Sequence, residues 1–334
     1  MLLIGDALTR LKELPDGAAH CCVTSPPYWG LRDYGVDGQL GLEKTPEGFL
    51  EKMVAVFHEV RRVLRDDGTA WINMGDSYSG SGRGGNSASI TGRGKDASAI
   101  TAPKPKFASK QMVGMPWRLA FALQADGWYL RQDIIWSKPN PMPESVTDRC
   151  TKAHEYIFLL SKKPNYFFAA DKIKEKCSPN TPARMARAKP EHAESQRAHG
   201  GGHRGGRSMG PRVAGVNPKA ASAEMDGPRS KQNASFSAAV VNMVEFRNKR
   251  SVWEVGSEPF TEAHFATFPT KLIEPCVLAG CPPGGIVLDP FFGAGTTGVV
   301  ATSLGRKFIG IEINPEYAAI AENRIKNTQP GFEM

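Results

Sequence analysis

No run of about 18 consecutive apolar residues occurs in the 334-residue chain, so it contains no candidate membrane-spanning helix. The N-terminus, MLLIGDALTR, has no basic leader ahead of an apolar stretch, and no signal peptide is expected. Cysteine is sparse and scattered. Cys21, Cys22, Cys150, Cys177, Cys276 and Cys281 form no C-x-x-C spacing, which argues against zinc and, with the missing signal, for reduced thiols in a cytosolic compartment. His192, His199 and His203 lack cysteine or carboxylate companions at ligand spacing, so no metal is expected. Two phosphate-binding fingerprints are also missing: the six-residue G-x-G-x-x-G and the loop that ends in Lys-[Ser/Thr].

Apolar residues make up 40% of the chain, enough for one large domain with an appendage or for two domains. The net charge is +8, and it is unevenly placed. Between Lys172 and Arg250 there are 16 Lys and Arg against 6 Asp and Glu, a surplus of 10 that leaves the remainder near −2. A concentrated basic segment on a near-neutral body is the footprint of a nucleic-acid binder. Its candidate contacts are Arg184, Arg187, Arg204, Arg207 and Arg212. Large apolar residues are nearly absent from 177–237, so that stretch cannot bury enough to fold tightly alone. A second low-complexity stretch, 77–110, is rich in Gly, Ser, Thr and Lys and follows a strand; it is expected to be a mobile flap or a disordered insertion.

Seven strands are predicted, mostly separated by helices: Leu2–Gly5, His20–Thr24, Ala70–Met74, Trp128–Trp136, Glu155–Leu160, Ile286–Asp289 and Lys307–Ile313. The apolar spacing of Gly48–Arg65 predicts a helix that stops at Gly68, and helices are also expected over Val113–Asp126, Thr270–Ala279 and Thr297–Leu304. This alternation describes an α/β fold, a doubly wound and mostly parallel seven-stranded sheet. Three segments follow: 1–172, 173–248 as a basic insertion, and 249–334 completing the same domain as the first.

Two stretches carry chemistry. In HCCVTSPPYWG a buried strand stops at Ser25-Pro26-Pro27-Tyr28, where two prolines end the strand and stiffen the backbone. Ser25 and the Pro26 carbonyl offer acceptors, and Tyr28 offers a flat ring. That combination suits a planar ligand bearing an amino group, a nucleobase. In DPFFGAGTTG a strand runs through Gly293-x-Gly295 into a helix, bringing backbone N–H groups close to a ligand. About twenty residues on, after the next strand, Glu312 is placed to hold the two hydroxyls of a ribose. An adenosine-type ligand without a long phosphate tail fits this pair.

These stretches, DPFFGAGTTG with FIGIEINPEY and TSPPY with the upstream GDAL, resemble S-adenosylmethionine-dependent DNA amino-methyltransferases over residues 1–76, 111–168 and 248–327. The order, catalytic turn first and cofactor loop last with the basic insertion between, is similar to the permuted β arrangement of that family. The resemblance implies a circularly permuted Rossmann-like methyltransferase fold and assigns roles by position. Phe291, Phe292, Gly293, Gly295 and Thr296 would wrap the cofactor, Glu312 would hold its ribose and Asp6 would contact the adenine ring, with Asp289, Pro290 and Asn314 also among the cofactor-binding positions. His264-Phe-Ala-Thr-Phe-Pro269-Thr-Lys271 is similar to an element beside the methionine end but departs from it at several positions. Arg250–Val255 is similar to the segment that returns the chain from the recognition region.

The implied reaction flips a base from duplex DNA and methylates its amino group. Ser before Pro-Pro leans toward cytosine N4, whereas Asp or Asn leans toward adenine N6. Cytosine C5 chemistry would need a nucleophilic cysteine; Pro275-Cys276 sits in a predicted core helix instead. RNA methylation and an inactive DNA-binding relative are the other readings. The resemblance further implies a cytoplasmic protein of a bacterium or phage-infected host, a homodimer, and any restriction endonuclease as a separate chain.

Overall fold

The computed structural model describes residues 1–31, 33, 35–79, 107–177, 245–258 and 267–328. Met1–Ile173 with Lys249–Met334 form one compact unit, and Lys174–Asn248 form another. In the first unit, strand β1 (Leu2–Ile4) leads to helix α1 (Ala7–Lys12), capped where Asp6 Oδ1 accepts from the Thr9 amide. Strand β2 (Ala19–Thr24) follows, then α2 (Pro46–Val63), whose N-terminus combines a Thr45 cap with a first-turn proline. Phe49, Met53, Val56, Phe57, Val60 and Val63 form its buried stripe.

Helix α2 passes directly into β3 (Leu64–Met74), so Gly68 does not stop the helix as its spacing predicts. Ala19 of β2 pairs with Leu64, but Cys21 pairs with Thr69, so Arg65–Gly68 bulge out of the ladder. A side chain at Gly68 would meet the Arg65 and His20 carbonyls at 2.9 and 3.1 Å, which is why glycine stands there.

The chain continues through α3 (Met115–Ala125), β4 (Tyr129–Ser137) and β5 (His154–Ser161). In the second unit, β6 (Glu175–Lys176) and β7 (Phe246–Arg247) pair antiparallel. Back in the first unit come β8 (Val252–Glu254), α4 (Thr270–Gly280), β9 (Ile286–Asp289), α5 (Thr296–Ser303), β10 (Lys307–Glu312) and α6 (Pro315–Lys326).

The main sheet has eight strands in the order β1-β10-β9-β2-β3-β5-β4-β8, parallel except where β5 runs against β3 and β4. The eighth strand is β8, which lies within the segment similar to a returning connection. Three residues with only Trp253 buried are too short to show an alternation. Helices cover both faces, as a mostly parallel sheet requires. Along β2 the side chains alternate: Cys22 packs into one core cluster with Leu11, Phe57 and Leu123, while Cys21 and Val23 join a second with Trp71, Leu272 and Val277.

From β9 the chain winds through α5 to β10 on one side, and from β2 through α2 to β3 on the other. The adjacent strands β9 and β2, paired at Cys21↔Val287 and Cys22↔Leu288, therefore form the topological switch point. Their carboxyl ends diverge into a crevice where such sheets bind ligands. Among the described residues no helix is long and apolar enough to cross a membrane.

Candidate active site

A cavity of about 450 Å³ opens at this crevice, inside the size range of small-molecule sites. Ser25, Pro26, Pro27 and Tyr28, which leave β2, line one side. Asp289, Pro290, Phe291, Phe292, Gly293 and Thr296, which leave β9, line the other, joined by Glu312 from the end of β10 and Asp6 from the loop after β1. Residues 265 positions apart are stitched together beneath it, where Thr24 Oγ1 donates to Asp289 Oδ1 at 2.6 Å.

The Gly293 turn is organised by Glu312. Its Oε2 accepts from the Gly293 amide at 2.7 Å and its Oε1 from the Asn314 amide at 2.8 Å. Burial pushes this carboxyl up from its ordinary value, while the backbone N–H groups pull the other way. Ile4 of β1 pairs with Glu312, and the Gly5 amide donates to the Glu312 carbonyl at 2.8 Å, which carries Asp6 to the same wall.

Gly295 and Asn314 lie outside the lining, and each shapes the start of a helix. Gly295 starts α5 at φ +77°, where a Cβ would lie 2.6 Å from the Ala321 Cβ. Asn314 caps α6 through Oδ1, which accepts from the Glu316 amide. Lys271 is exposed on α4 and is not part of the lining. His264 and the arginines at 184, 187, 204, 207 and 212 fall outside the described residues.

Two residues read as cofactor contacts are bonded or packed inward. Asp289 is 1% exposed; besides Thr24, its Oδ1 accepts from the Phe291 amide and its Oδ2 from Thr297 Oγ1 at 2.7 Å. Phe292 stacks on Phe308 and fills space that Gly298 and Gly310 leave open, since a Cβ at either would come within 2.6 Å of its ring. Both hold the loop's shape from beneath.

Burial raises the Asp289 carboxyl to about 6, against hydrogen bonds from Thr24 and Thr297 that lower it. Because the folded pKa lies above the unfolded one, this group's stabilising contribution is complete below about pH 4 and is lost as pH rises through 6. Asp289→Asn removes that titration. Its stability relative to the parent should therefore improve by about 2–3 kcal/mol between pH 4 and pH 7, measured by urea unfolding at both values. An unchanged difference would mean that Asp289 titrates normally.

Sequence reasoning missed a second set of polar residues at the Tyr28 end. Asn73, Trp136, Lys138 and Glu155 line the cavity. Tyr28 donates from its hydroxyl to Glu155 Oε2 at 2.8 Å, and Asn73 Nδ2 donates to both, at 3.0 and 2.9 Å. Lys138 Nζ donates to Glu155 Oε1 at 2.5 Å and lies 4.1 Å from the centre of the Trp136 ring. Cys276, by contrast, is fully buried in α4 with its thiol pushed up by burial, which is packing rather than nucleophile chemistry.

An open sheet with a stiff acceptor-and-aromatic turn and a glycine-carboxylate loop facing one cavity defines a class: doubly wound α/β proteins with a small-molecule crevice at the switch point. A profile described as DNA methylase matches residues 19–323. The chain is 43% identical to the type II methyltransferase M.Cfr9I of Citrobacter freundii, across 97% of this chain and 87% of that protein. It superposes on the structure of the PvuII DNA methyltransferase (cytosine-N4-specific) with a TM-score of 0.60 at 17% identity, covering 97% and 85% of the two chains. A Thermus thermophilus protein described as a DNA modification methylase, complexed with S-adenosyl-L-methionine, gives 0.56 at 23% identity over 99% and 95%. The chain belongs to the DNA methylase family, the S-adenosylmethionine-dependent DNA amino-methyltransferases.

The cofactor fits the residues present. Gly293 sits at φ +53° with nothing within 4 Å of where a Cβ would stand, so backbone can meet a ligand directly, and the Glu312 carboxylate beside it can accept from hydroxyl donors.

Proposed function

We propose that this DNA methyltransferase modifies the exocyclic N4 of cytosine in duplex DNA, acting on a base turned out of the helix. The observation that carries this reading is the shared cavity: the Ser25–Tyr28 turn faces the Gly293–Glu312 loop across the switch point. Glu312 would take the ribose hydroxyls, Asp6 the adenine ring, and the Gly293 backbone the remainder of the cofactor. S-adenosylmethionine, when bound, supplies an electrophilic methyl group on sulfonium sulfur.

Ser25 Oγ and the Pro26 carbonyl accept the two amino hydrogens of the base, and Tyr28 offers it a ring face. Holding both hydrogens draws the nitrogen toward tetrahedral geometry and frees its lone pair for in-line attack on that methyl group; the methyl's bond to sulfur would break as its bond to nitrogen forms, and the surplus amino proton would pass to solvent. The protein contributes position and charge complementarity, with no covalent intermediate on the chain. Ser25 at the head of the turn supports cytosine over adenine. The basic segment 173–248 serves as target recognition, with its arginines on phosphates. The chain acts as the modification partner of a separate endonuclease.

The test is mass spectrometry of nucleosides from unmethylated duplex DNA incubated with the protein and isotope-labelled S-adenosylmethionine. Labelled N4-methylcytosine is expected. Labelled N6-methyladenine would overturn the choice of base but keep the chemistry, and label in RNA alone would overturn the substrate.

A further inference from the structure

An aromatic platform is useful only if its plane is fixed before the base arrives; otherwise ordering the ring opposes binding. Tyr28 follows two prolines, so its backbone is stiff, but its side chain could still turn about χ1 and χ2. In this structure the far end of the ring is tied as well. The phenol donates to Glu155 Oε2, Asn73 Nδ2 bonds the phenol oxygen and the same carboxylate oxygen, and Lys138 occupies the other carboxylate oxygen.

Three features show that the tie is built. First, the four residues come from four different segments: the turn after β2, the end of β3, the residue after β4 and the start of β5. They meet because β5 is antiparallel, so its first residues lie at the same sheet edge as the last residues of β3 and β4. Second, Gly75 leaves the space the ring needs, since a Cβ there would lie 3.0 Å from Tyr28 Cε2 and 3.2 Å from Glu155 Cδ. Third, the charges agree with the bonding. Burial pushes the Glu155 carboxyl up, but the Lys138 ammonium and the hydrogen bonds from Lys138, Asn73 and Tyr28 outweigh it and hold it below its ordinary value. Burial and the Glu155 carboxylate push the Tyr28 phenol well up, so it keeps its proton and donates.

We infer that Glu155, braced by Asn73 and Lys138, is a positioning residue that locks the Tyr28 ring as the platform for the target base. Although it lines the same cavity, it acts through the tyrosine hydroxyl that it holds. The inference rests on the role proposed above for Tyr28 but not on which base is methylated.

The test is a double-mutant cycle on the full chain. Tyr28→Phe keeps the ring and removes the tied hydroxyl, and Glu155→Gln removes the charge that holds it. Each single variant should lower kcat about tenfold or more, with S-adenosylmethionine affinity, read by calorimetry, within about twofold of the parent. The double variant should be no worse than the weaker single, because both changes cut one link. A double variant whose loss equals the product of the singles would overturn the inference, as would a single variant with parental kcat.

A second measurement needs no turnover. With tyrosine labelled at Cζ, the Tyr28 resonance is the one that Tyr28→Phe deletes, and it should move toward the solvent-exposed position in Glu155→Gln. An unmoved resonance would overturn the inference even if no DNA is methylated, which separates its failure from that of the proposed function. If Glu155→Gln loses cofactor affinity through misfolding, Lys138→Gln takes its place in both measurements with the same expected outcomes.

Discussion

Glu312→Ala is expected to weaken S-adenosylmethionine binding by about 100-fold or more, because one side chain does two jobs. Its carboxylate accepts the Gly293 and Asn314 amides, and its position on the cavity wall is that of the proposed ribose contact. Removing it strands one buried donor, the Asn314 amide, at about 1–3 kcal/mol, frees the part-buried Gly293 amide, and takes away the acceptor for the ribose hydroxyls. The loop that carries Gly293 would lose this anchor to the end of β10, so a fall in thermal midpoint of a few degrees should accompany the loss of affinity. Glu312→Gln separates the two jobs. Its single carbonyl can satisfy one amide and turns an N–H₂ toward the other, so stability should fall less than in the alanine variant while affinity still drops by about tenfold. Isothermal titration gives the affinities and thermal unfolding the stabilities. Binding of the alanine variant within about threefold of the parent would remove Glu312 from the ribose role and leave it a loop brace.

Much of this fold could be read from periodicity, because strand and helix alternate in it with few interruptions. The buried runs Cys21–Thr24, Ile286–Asp289 and Lys307–Glu312 are strands, and the glycine turn after Asp289 opens a helix. What could not be read was direction. Nothing local in HEYIFLLS says that β5 runs against its neighbours, and that reversal is what brings Glu155 to the cavity. Asn73, Lys138 and Glu155 are single polar residues at strand ends with no shared motif. Their association exists only after Asn73 pairs with Ile157 and Trp136 with Glu155.

The motifs themselves located the cavity but could not say which of their side chains face it. Asp289 belongs to the lining with its neighbours, yet its oxygens are taken by Thr24 and Thr297. A carboxylate that clamps two strands and one that greets a ligand have the same letter. Only burial and the identity of the donors separate them. The same holds for Phe291, which is part-buried at the wall, and Phe292, which is a wedge between Gly298 and Gly310.

Ser25→Ala is expected to lower kcat by about 30- to 100-fold while leaving S-adenosylmethionine affinity unchanged. Ser25 leaves the end of β2 half-buried at the cavity wall, and its hydroxyl is one of two acceptors proposed for the amino group. As the nitrogen gives up its lone pair, its hydrogens become more acidic, so a hydrogen bond to them tightens toward the transition state rather than in the bound substrate. An interaction gained only there lowers kcat when removed, and about 2–3 kcal/mol of it corresponds to the expected fall. The cofactor should not register the change, because its proposed contacts lie on other segments: the loops after β1 and β9 and the end of β10. Ser25→Asp keeps an acceptor of greater strength at the same place and should retain more activity than the alanine variant. Single-turnover assays with saturating cofactor measure the chemical step directly, and equilibrium dialysis measures the cofactor. Parental turnover in Ser25→Ala would leave the Pro26 carbonyl as the acceptor that matters. Lost cofactor affinity would instead mean that the turn after β2 helps to build the pocket it faces.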